Sequence, residues 1–205
     1  MSERRVLAVI AAMALLLSGI GPRDRMTWWL EIFPVLIAAP LLFATTRRFP
    51  LTALACRLIF LHALILMLGG HYTYAEVPLG HWVKEWFGHE RNHYDRLGHF
   101  AQGFVPALLA REVFVRCTPL RGGWIFFVAT SVALAISAAY ELVEWVAALI
   151  YGSSASAFLG TQGDEWDTQW DMFLALSGAL LSMTLLTRRH DREIARVAPV
   201  DQIDR

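Results

Sequence analysis

The chain has 205 residues, of which 18 are Lys or Arg and 18 are Asp or Glu, so its formal net charge is zero; 56% of the residues are hydrophobic and eight are Trp. A mean hydropathy of +0.44, with the apolar residues in long blocks instead of amphipathic stripes, argues against a soluble domain and for a multi-pass membrane protein whose first partner is the lipid bilayer. Nothing in the charge pattern suggests nucleic-acid binding, and no Walker-type loop, GxSxG or His-Glu-x-x-His motif is present.

Six apolar segments approach the length a bilayer requires, at about 5–20, 28–45, 51–69, 98–116, 124–151 and 168–187. They predict an all-α, polytopic membrane helix bundle of about six transmembrane helices, forming a single multi-pass domain over residues 1–187. The first segment, VLAVIAAMALLLSGI behind Arg4 and Arg5, also has the make-up of a secretory signal peptide. It lacks an Ala-x-Ala-like cleavage site, however, and runs through GPRDR toward the second segment.

Six crossings put both termini on one side. That side carries Arg4, Arg5, Arg47, Arg48, Arg116, Arg121, Arg188, Arg189, Arg192, Arg196 and Arg205. The other carries Arg23, Arg25, Lys84, Arg91 and Arg96. Eleven against five predicts cytoplasmic termini by the positive-inside rule. Arg57 and Arg111 lie inside spans near their cytoplasmic ends and read as snorkelling anchors. Cys56 and Cys117 fall toward the same ends, form no CxxC pair and read as packing residues.

Residues 1–66 are mostly apolar, with Glu31, Arg57 and His62 as the buried-looking polar exceptions, and read as scaffold. The connection from Gly70 to Leu97 is long and aromatic. Pro78 and Gly80 interrupt it, and HWVKEWFG then predicts a short interfacial helix with Trp82, Trp86 and Phe87 at headgroup level. Residues 188–205 alternate in charge and predict a solvated, flexible cytoplasmic tail.

Ionisable groups beside hydrocarbon are expensive and default to a functional-site hypothesis, and here they gather at one predicted membrane face. Asp95 and His99 stand four residues apart at the mouth of the fourth segment, one turn apart on a helix, with Gln102 and Pro106 following on that face. Such a pair can share a metal, or the carboxylate can orient the imidazole or act as a base. Glu141 and Glu144 lie three apart in the fifth segment, where two adjacent charges must share a proton, face a cation or emerge into water. Asp164, Asp167 and Asp171 open the last segment within an arc of about 60°, as one carboxylate stripe. The plain alternative is a solvated helix N-terminus, which suits Asp164 and Asp167 better than Asp171. Glu31, His71, Tyr72, Tyr74 and Glu76 are placed to add a ligand or a phenolic donor.

Oxygen donors with an imidazole suit a hard or borderline divalent cation such as Zn, Mn, Mg or Fe(II). The expected metal ligands are His99, Glu141, Glu144, Asp167 and Asp171, with Asp95 or Asp164 as catalytic base or orienting group.

The stretches HYTYAEVPLG, YDRLGHFAQGFVPALLARE, YELVEW and GTQGDEWDTQWDM, spanning about residues 70–185, resemble the YjdF-type family of bacterial inner-membrane proteins, a domain of unknown function. The resemblance implies a multi-pass inner-membrane protein and carries no activity, substrate or catalytic residue. A more distant likeness is to VanZ-like membrane proteins: Asp95, Arg96, His99 and Phe100, then Glu141, then Asp167, Asp171 and Gly178 follow that pattern, while Trp145 and Ala175 depart from it. It implies at most cell-envelope or lipid-linked chemistry.

Three functions follow as expectations. The first is a metal-dependent enzyme acting on a lipid or lipid-linked envelope substrate at the periplasmic face. The second is a proton- or cation-coupled permease, and the third a non-catalytic assembly protein whose polar cluster is a structural clasp.

Overall fold

The computed structural model describes residues 3–197, and among them the regular structure is entirely helical. Nine α-helices follow in order: α1 (Glu3–Ser18), α2 (Arg25–Thr45), α3 (Ala53–Tyr72), α4 (Pro78–Phe87), α5 (Tyr94–Cys117), α6 (Gly123–Tyr151), α7 (Ser156–Leu159), α8 (Asp167–Leu185) and α9 (Thr187–Ile194). The six long ones coincide with the six apolar segments to within a few residues. Local chemistry sets their ends. The Asp24 carboxylate accepts the Thr27 amide at 2.6 Å to start α2, the Thr52 hydroxyl accepts the Ala55 amide at 3.2 Å to start α3, and Gly88 ends α4 at φ 66°.

By length and apolarity, α2, α3 and α6 can each cross a membrane, and α8 with α9 would supply a fourth span across a 62° bend. The 16 residues of α1 are few for a crossing. Helix α5 is long enough but polar, because it carries Asp95, Arg96, Arg111, Glu112 and Arg116. At 29 residues α6 is about 43 Å long, well beyond the hydrocarbon thickness, so it must tilt or project.

Two groups of helices make the bundle. Trp28, Ile32 and Met67 bind α1, α2 and α3 together. Small residues dominate the second group, where Ala107, Ala129, Ala133 and Ala179 with Ile125 and Met183 join α5, α6 and α8. Leu54, Ala55 and Leu108 connect the groups through α3 and α5. The closest approach is between α5 and α8, which run parallel. A Cβ on Gly103 would lie 1.7 Å from the Ala175 carbonyl oxygen, and one on Gly178 would lie 2.2 Å from that of Phe100. Glycine at both positions lets the backbones touch, the usual device for tight packing where no hydrophobic force acts between helices. The contact brings the first turns of α5 and α8, with Asp95, His99, Asp167 and Asp171, side by side.

The opposite end of α5 is held by a buried polar network. Glu112, fully buried, accepts four hydrogen bonds: from the Thr52 amide (2.9 Å) and Arg116 Nη1 (2.8 Å) on one oxygen, and from the Thr52 hydroxyl (2.8 Å) and His190 Nε2 (2.9 Å) on the other. Arg111 Nη1 donates to His190 Nδ1 at 3.1 Å, so His190 is the neutral Nε2–H tautomer. Glu193 of α9 accepts the Leu54 amide at 2.7 Å. Two carboxylates thus satisfy the exposed amides and dipole at the start of α3.

Two expectations are corrected here. Residues 188–194 are not a solvated tail: α9 packs back, and His190 is fully buried because Glu112 and Arg111 between them engage both ring nitrogens. The remainder of the predicted tail from residue 198 lies outside the described residues. Arg111 is not a snorkelling anchor either. It is buried, and Asp191 together with His190 takes its guanidinium. Arg57 pairs at the surface with Glu3.

Gly103→Val should abolish the folded bundle or lower its thermal midpoint in detergent by about 10 °C or more, while Gly123→Ala, with open space around it, should be neutral. Glu112→Ala, which leaves Arg116 and His190 facing a void, should destabilise by about 3–5 kcal/mol, and Glu112→Gln by less. Melting curves of the purified variants check both.

Candidate functional site

At the end of the bundle where α5 and α8 begin, four carboxylates converge on one imidazole. Asp95 and His99 come from α5, Glu141 and Glu144 from α6, and Asp171 from α8. His99 Nε2 lies 3.5 Å from Asp95 Oδ1 and 3.8 Å from Asp171 Oδ2, and Nδ1 lies 3.6 Å from Glu141 Oε1 and 3.0 Å from Gln102 Oε1. Asp95, His99, Glu141 and Asp171 are buried, Asp171 with 2% of its surface exposed, and Glu144 is partly buried. A fifth carboxylate, Glu31 of α2, is buried nearby and accepts the Tyr140 hydroxyl at 3.2 Å, while the Tyr140 ring stands edge-on to His99 with centroids 6.4 Å apart. Tyr74, in the turn after α3, stacks on Tyr94. Burial, reinforced by Glu31, pushes its phenol well above the ordinary range, so it is a neutral group at the cluster's edge.

Much of this oxygen is unpaired. Asp95 Oδ2, Glu141 Oε1 and Asp171 Oδ1 are buried with no hydrogen-bond partner. Buried acceptors without donors are costly, and charged ones more so. If His99 donates Nδ1–H to Gln102, its Nε2 lone pair faces the Asp95 and Asp171 carboxylates, an arrangement that requires a positive charge between them. A proton on the imidazole supplies one such charge against four or five carboxylates. Divalent ions also fit. The donor atoms of Asp95, His99 and Asp171, and separately of His99, Glu141 and Glu144, lie within 4.8 Å of one another. Metal–ligand bonds of about 2.0–2.2 Å need donors somewhat closer, within reach of small side-chain rotations.

The predicted site residues divide accordingly. Asp95, His99, Glu141, Glu144 and Asp171 come together. Asp167 does not join either group, because Arg91 Nη1 takes its carboxylate at 2.6 Å. Asp164 is not on the helix stripe: α8 starts at Asp167, and Asp164 sits in the preceding turn, paired with Arg91 (3.3 Å) and Arg96 (2.9 Å). Both pairs fall on its Oδ2. Glu76 lies outside the cluster, in a surface pair with Arg23 at 2.6 Å. His71 faces the Ser18 carbonyl at 2.9 Å, with Tyr72 against its ring.

Sequence reasoning overlooked the roles of Arg91, Arg96 and Tyr140. Arg91 counted only as a charge in the orientation argument, and Arg96 only there and in the VanZ-like pattern. For Arg91 the signal was its spacing, four residues before Asp95, from which it lies 3.8 Å in the turn that precedes α5. His62, read from the sequence as part of the scaffold, has its Nε2 buried and unpartnered in the middle of α3.

The family described as "Predicted membrane protein (DUF2238)" matches residues 3–192. The chain belongs to this family. It is 56% identical, over 190 residues, to "Inner membrane protein YjdF" of Escherichia coli (strain K12), covering 92% of this chain and 91% of that protein. No solved structure matches. With its apolar helices, this likeness makes the chain an inner-membrane protein, and the family match runs into α9 past His190, in keeping with the packing of that residue into the bundle.

Removing one of the crowded carboxylates by an isosteric change should relieve repulsion. In chelator-treated protein, Asp171→Asn and Glu141→Gln should each raise the thermal midpoint by about 2–4 °C; a fall in both would mark the cluster as a stabilising clasp.

Proposed function

We propose that this family member is a divalent-cation-dependent membrane enzyme acting on a lipid or lipid-linked substrate at the periplasmic face. Asp95, His99 and Asp171 hold the cation, and Glu141 with Glu144 forms an adjoining carboxylate pair for a second ion or for proton transfer. The observation that carries this reading is the trio of buried, unpartnered carboxylate oxygens around His99. A cation held there would polarise a phosphoryl or carbonyl oxygen and make water more acidic. Asp95, with one oxygen toward His99 and the other unpartnered, is the residue best placed to orient the imidazole or to take a proton.

The proposal includes six crossings with both termini in the cytoplasm. The excess of basic residues on that side favours it. In this arrangement the cluster faces the periplasm, and the Glu112–His190 network lies at the cytoplasmic end. The exposed aromatic residues of α4, Trp82, Trp86 and Phe87, suit a helix lying at the headgroup level beside the cluster.

One observation favours a second reading, a proton- or cation-coupled permease: His62 Nε2, Ser137 Oγ and Ser182 Oγ are buried and unpartnered deeper within the helices. Against it, the fully engaged Glu112 and His190 offer no evident way through at the far end. Uptake into proteoliposomes, abolished by His62→Ala, would favour the permease.

Purified wild-type protein analysed by inductively coupled plasma mass spectrometry should carry a divalent metal in stoichiometric amount. His99→Ala and Asp171→Asn should lose it, while Asp167→Asn, whose carboxylate belongs to Arg91, should retain it. A well-folded, metal-free wild type that also fails to take up added Zn, Mn, Mg or Fe(II) overturns the reading.

A further inference from the structure

Outside the cluster, two arginines converge on one acceptor. Asp164 Oδ2 bridges Arg91 Nη1 (3.3 Å) and Arg96 Nη2 (2.9 Å), and its Oδ1 accepts the Trp166 amide at 3.0 Å. Arg91 also meets Asp167, and Arg96 lies over the Trp170 ring at 5.3 Å and donates to His93 Nδ1 at 3.3 Å. Burial, then Arg96, holds the His93 imidazole below its ordinary range, which keeps it the neutral acceptor of that bond.

This arrangement leaves donors unused. Arg91 Nε and Arg96 Nε are both buried and have no acceptor. A carboxylate has only two oxygens, and one of Asp164's is spent on the backbone, so it reaches a single Nη of each guanidinium. A phosphate group has enough oxygens to take Nε–H and Nη–H of both, the fork geometry for which arginine is suited.

The surroundings permit such an exchange. Arg91 and Asp164 border an open cleft of about 490 Å³, lined also by His89, His93 and Gln162, with Glu90 as the other acidic group; Arg96 meets this cleft through its bond to Asp164. Asp164 stands on a turn with left-handed backbone at Gly160, Gln162 and Gly163. That turn is anchored separately, by Gln162 exchanging hydrogen bonds of 2.9 and 2.8 Å with the Asn92 backbone. Asp164 can therefore swing away without releasing the loop. The cleft begins at Gly88, directly after α4, whose Trp86 and Phe87 are 79% and 71% exposed. An aromatic helix of that kind places the cleft at the depth of lipid headgroups.

We infer that Arg91 and Arg96 form the recognition site for the phosphate group of a membrane-borne phosphoester, with Asp164 occupying the site until the ligand displaces it. This rests on the proposed reading of the neighbouring cluster as acting on a lipid-linked substrate, and it specifies the substrate's chemistry. Phosphate held by Arg91, 3.8 Å from Asp95, would lie at the mouth of the cluster.

The test is titration of short-chain phosphatidic acid into detergent-purified full-length protein by calorimetry, with chelator present so that the metal plays no part. Arg96→Gln should weaken binding about tenfold. Asp164→Asn should tighten it several-fold, the opposite of what a merely structural ion pair would do. Binding that is absent in the wild type, or unchanged in both variants, or weakened by Asp164→Asn in a protein with wild-type melting behaviour, overturns the proposal. A parallel titration with inorganic phosphate separates the sources. Much weaker binding supports a lipid-borne ligand, and equal affinity overturns that part in favour of free phosphate. Metal content of Arg96→Gln, expected to equal that of the wild type, keeps this result distinct from the fate of the metal reading.

Discussion

The backbone contact between α5 and α8 is the constraint on which the rest of the molecule depends. Two glycines, Gly103 and Gly178, bring main chain against main chain, and the alanines around them extend the fit. Inside a bilayer, burying apolar surface between helices yields little, because lipid tails are as apolar as the side chains, so shape complementarity and close approach must do the holding. The two helices run parallel, so their polar N-terminal turns are pressed together at one end. Crowding of Asp95, His99, Asp167 and Asp171 is a direct consequence of that register.

Arg91 deals with part of that crowding. It stands at the rim, within ion-pair distance of Asp95, Asp164 and Asp167. It does not reach Asp171, Glu141 or Glu144, which lie further in. The inner carboxylates are left with the imidazole of His99 and with Gln102 and Tyr140 near them, too few donors for their oxygens. A dry site with surplus acceptors selects for whatever positive charge can enter it, and the ring of donors around His99 narrows that to a proton or a small cation.

The long helices were legible because each rests on a run of apolar residues of bilayer length, a signal that does not depend on partners. Asp95 with His99 and Glu141 with Glu144 were legible for a related reason: charges inside such runs stand out, and helical periodicity puts each pair on one face. The misplacements came from tertiary contacts that no local pattern records. Asp164 falls at a plausible helical offset from Asp167, yet Arg91 and Arg96 hold it in a turn before the helix begins. The segment after Arg188 has the composition of a solvated tail, and it packs through partners far away in the chain: Glu112, nearly eighty residues earlier, takes His190, Arg111 takes Asp191, and the Leu54 amide takes Glu193. Arg111 looked like an anchor for the same reason, since its partners Asp191 and His190 lie on a helix that composition did not predict.

The two ends of α5 make the functional argument by contrast. Both carry buried carboxylates beside a histidine, and both would look alike in a count of intramembrane charges. At one end Glu112 receives four hydrogen bonds, and His190 has both ring nitrogens engaged in a single tautomer; the carboxylate is fully satisfied there, the one buried polar atom without a partner being a donor, Arg116 Nη2, and an acceptor so filled rigidifies a fold without calling for an added cation. At the other end, one buried oxygen each of Asp95, Glu141 and Asp171 has no hydrogen-bond partner, although Arg91 lies 3.8 Å from the first and His99 3.6 Å from the second. A protein that can satisfy a buried glutamate so fully at one end has no structural need to leave three carboxylates wanting at the other. The unsatisfied end is the one where the chain's own donors fall short of its buried acceptors, and Arg91 stands at its rim.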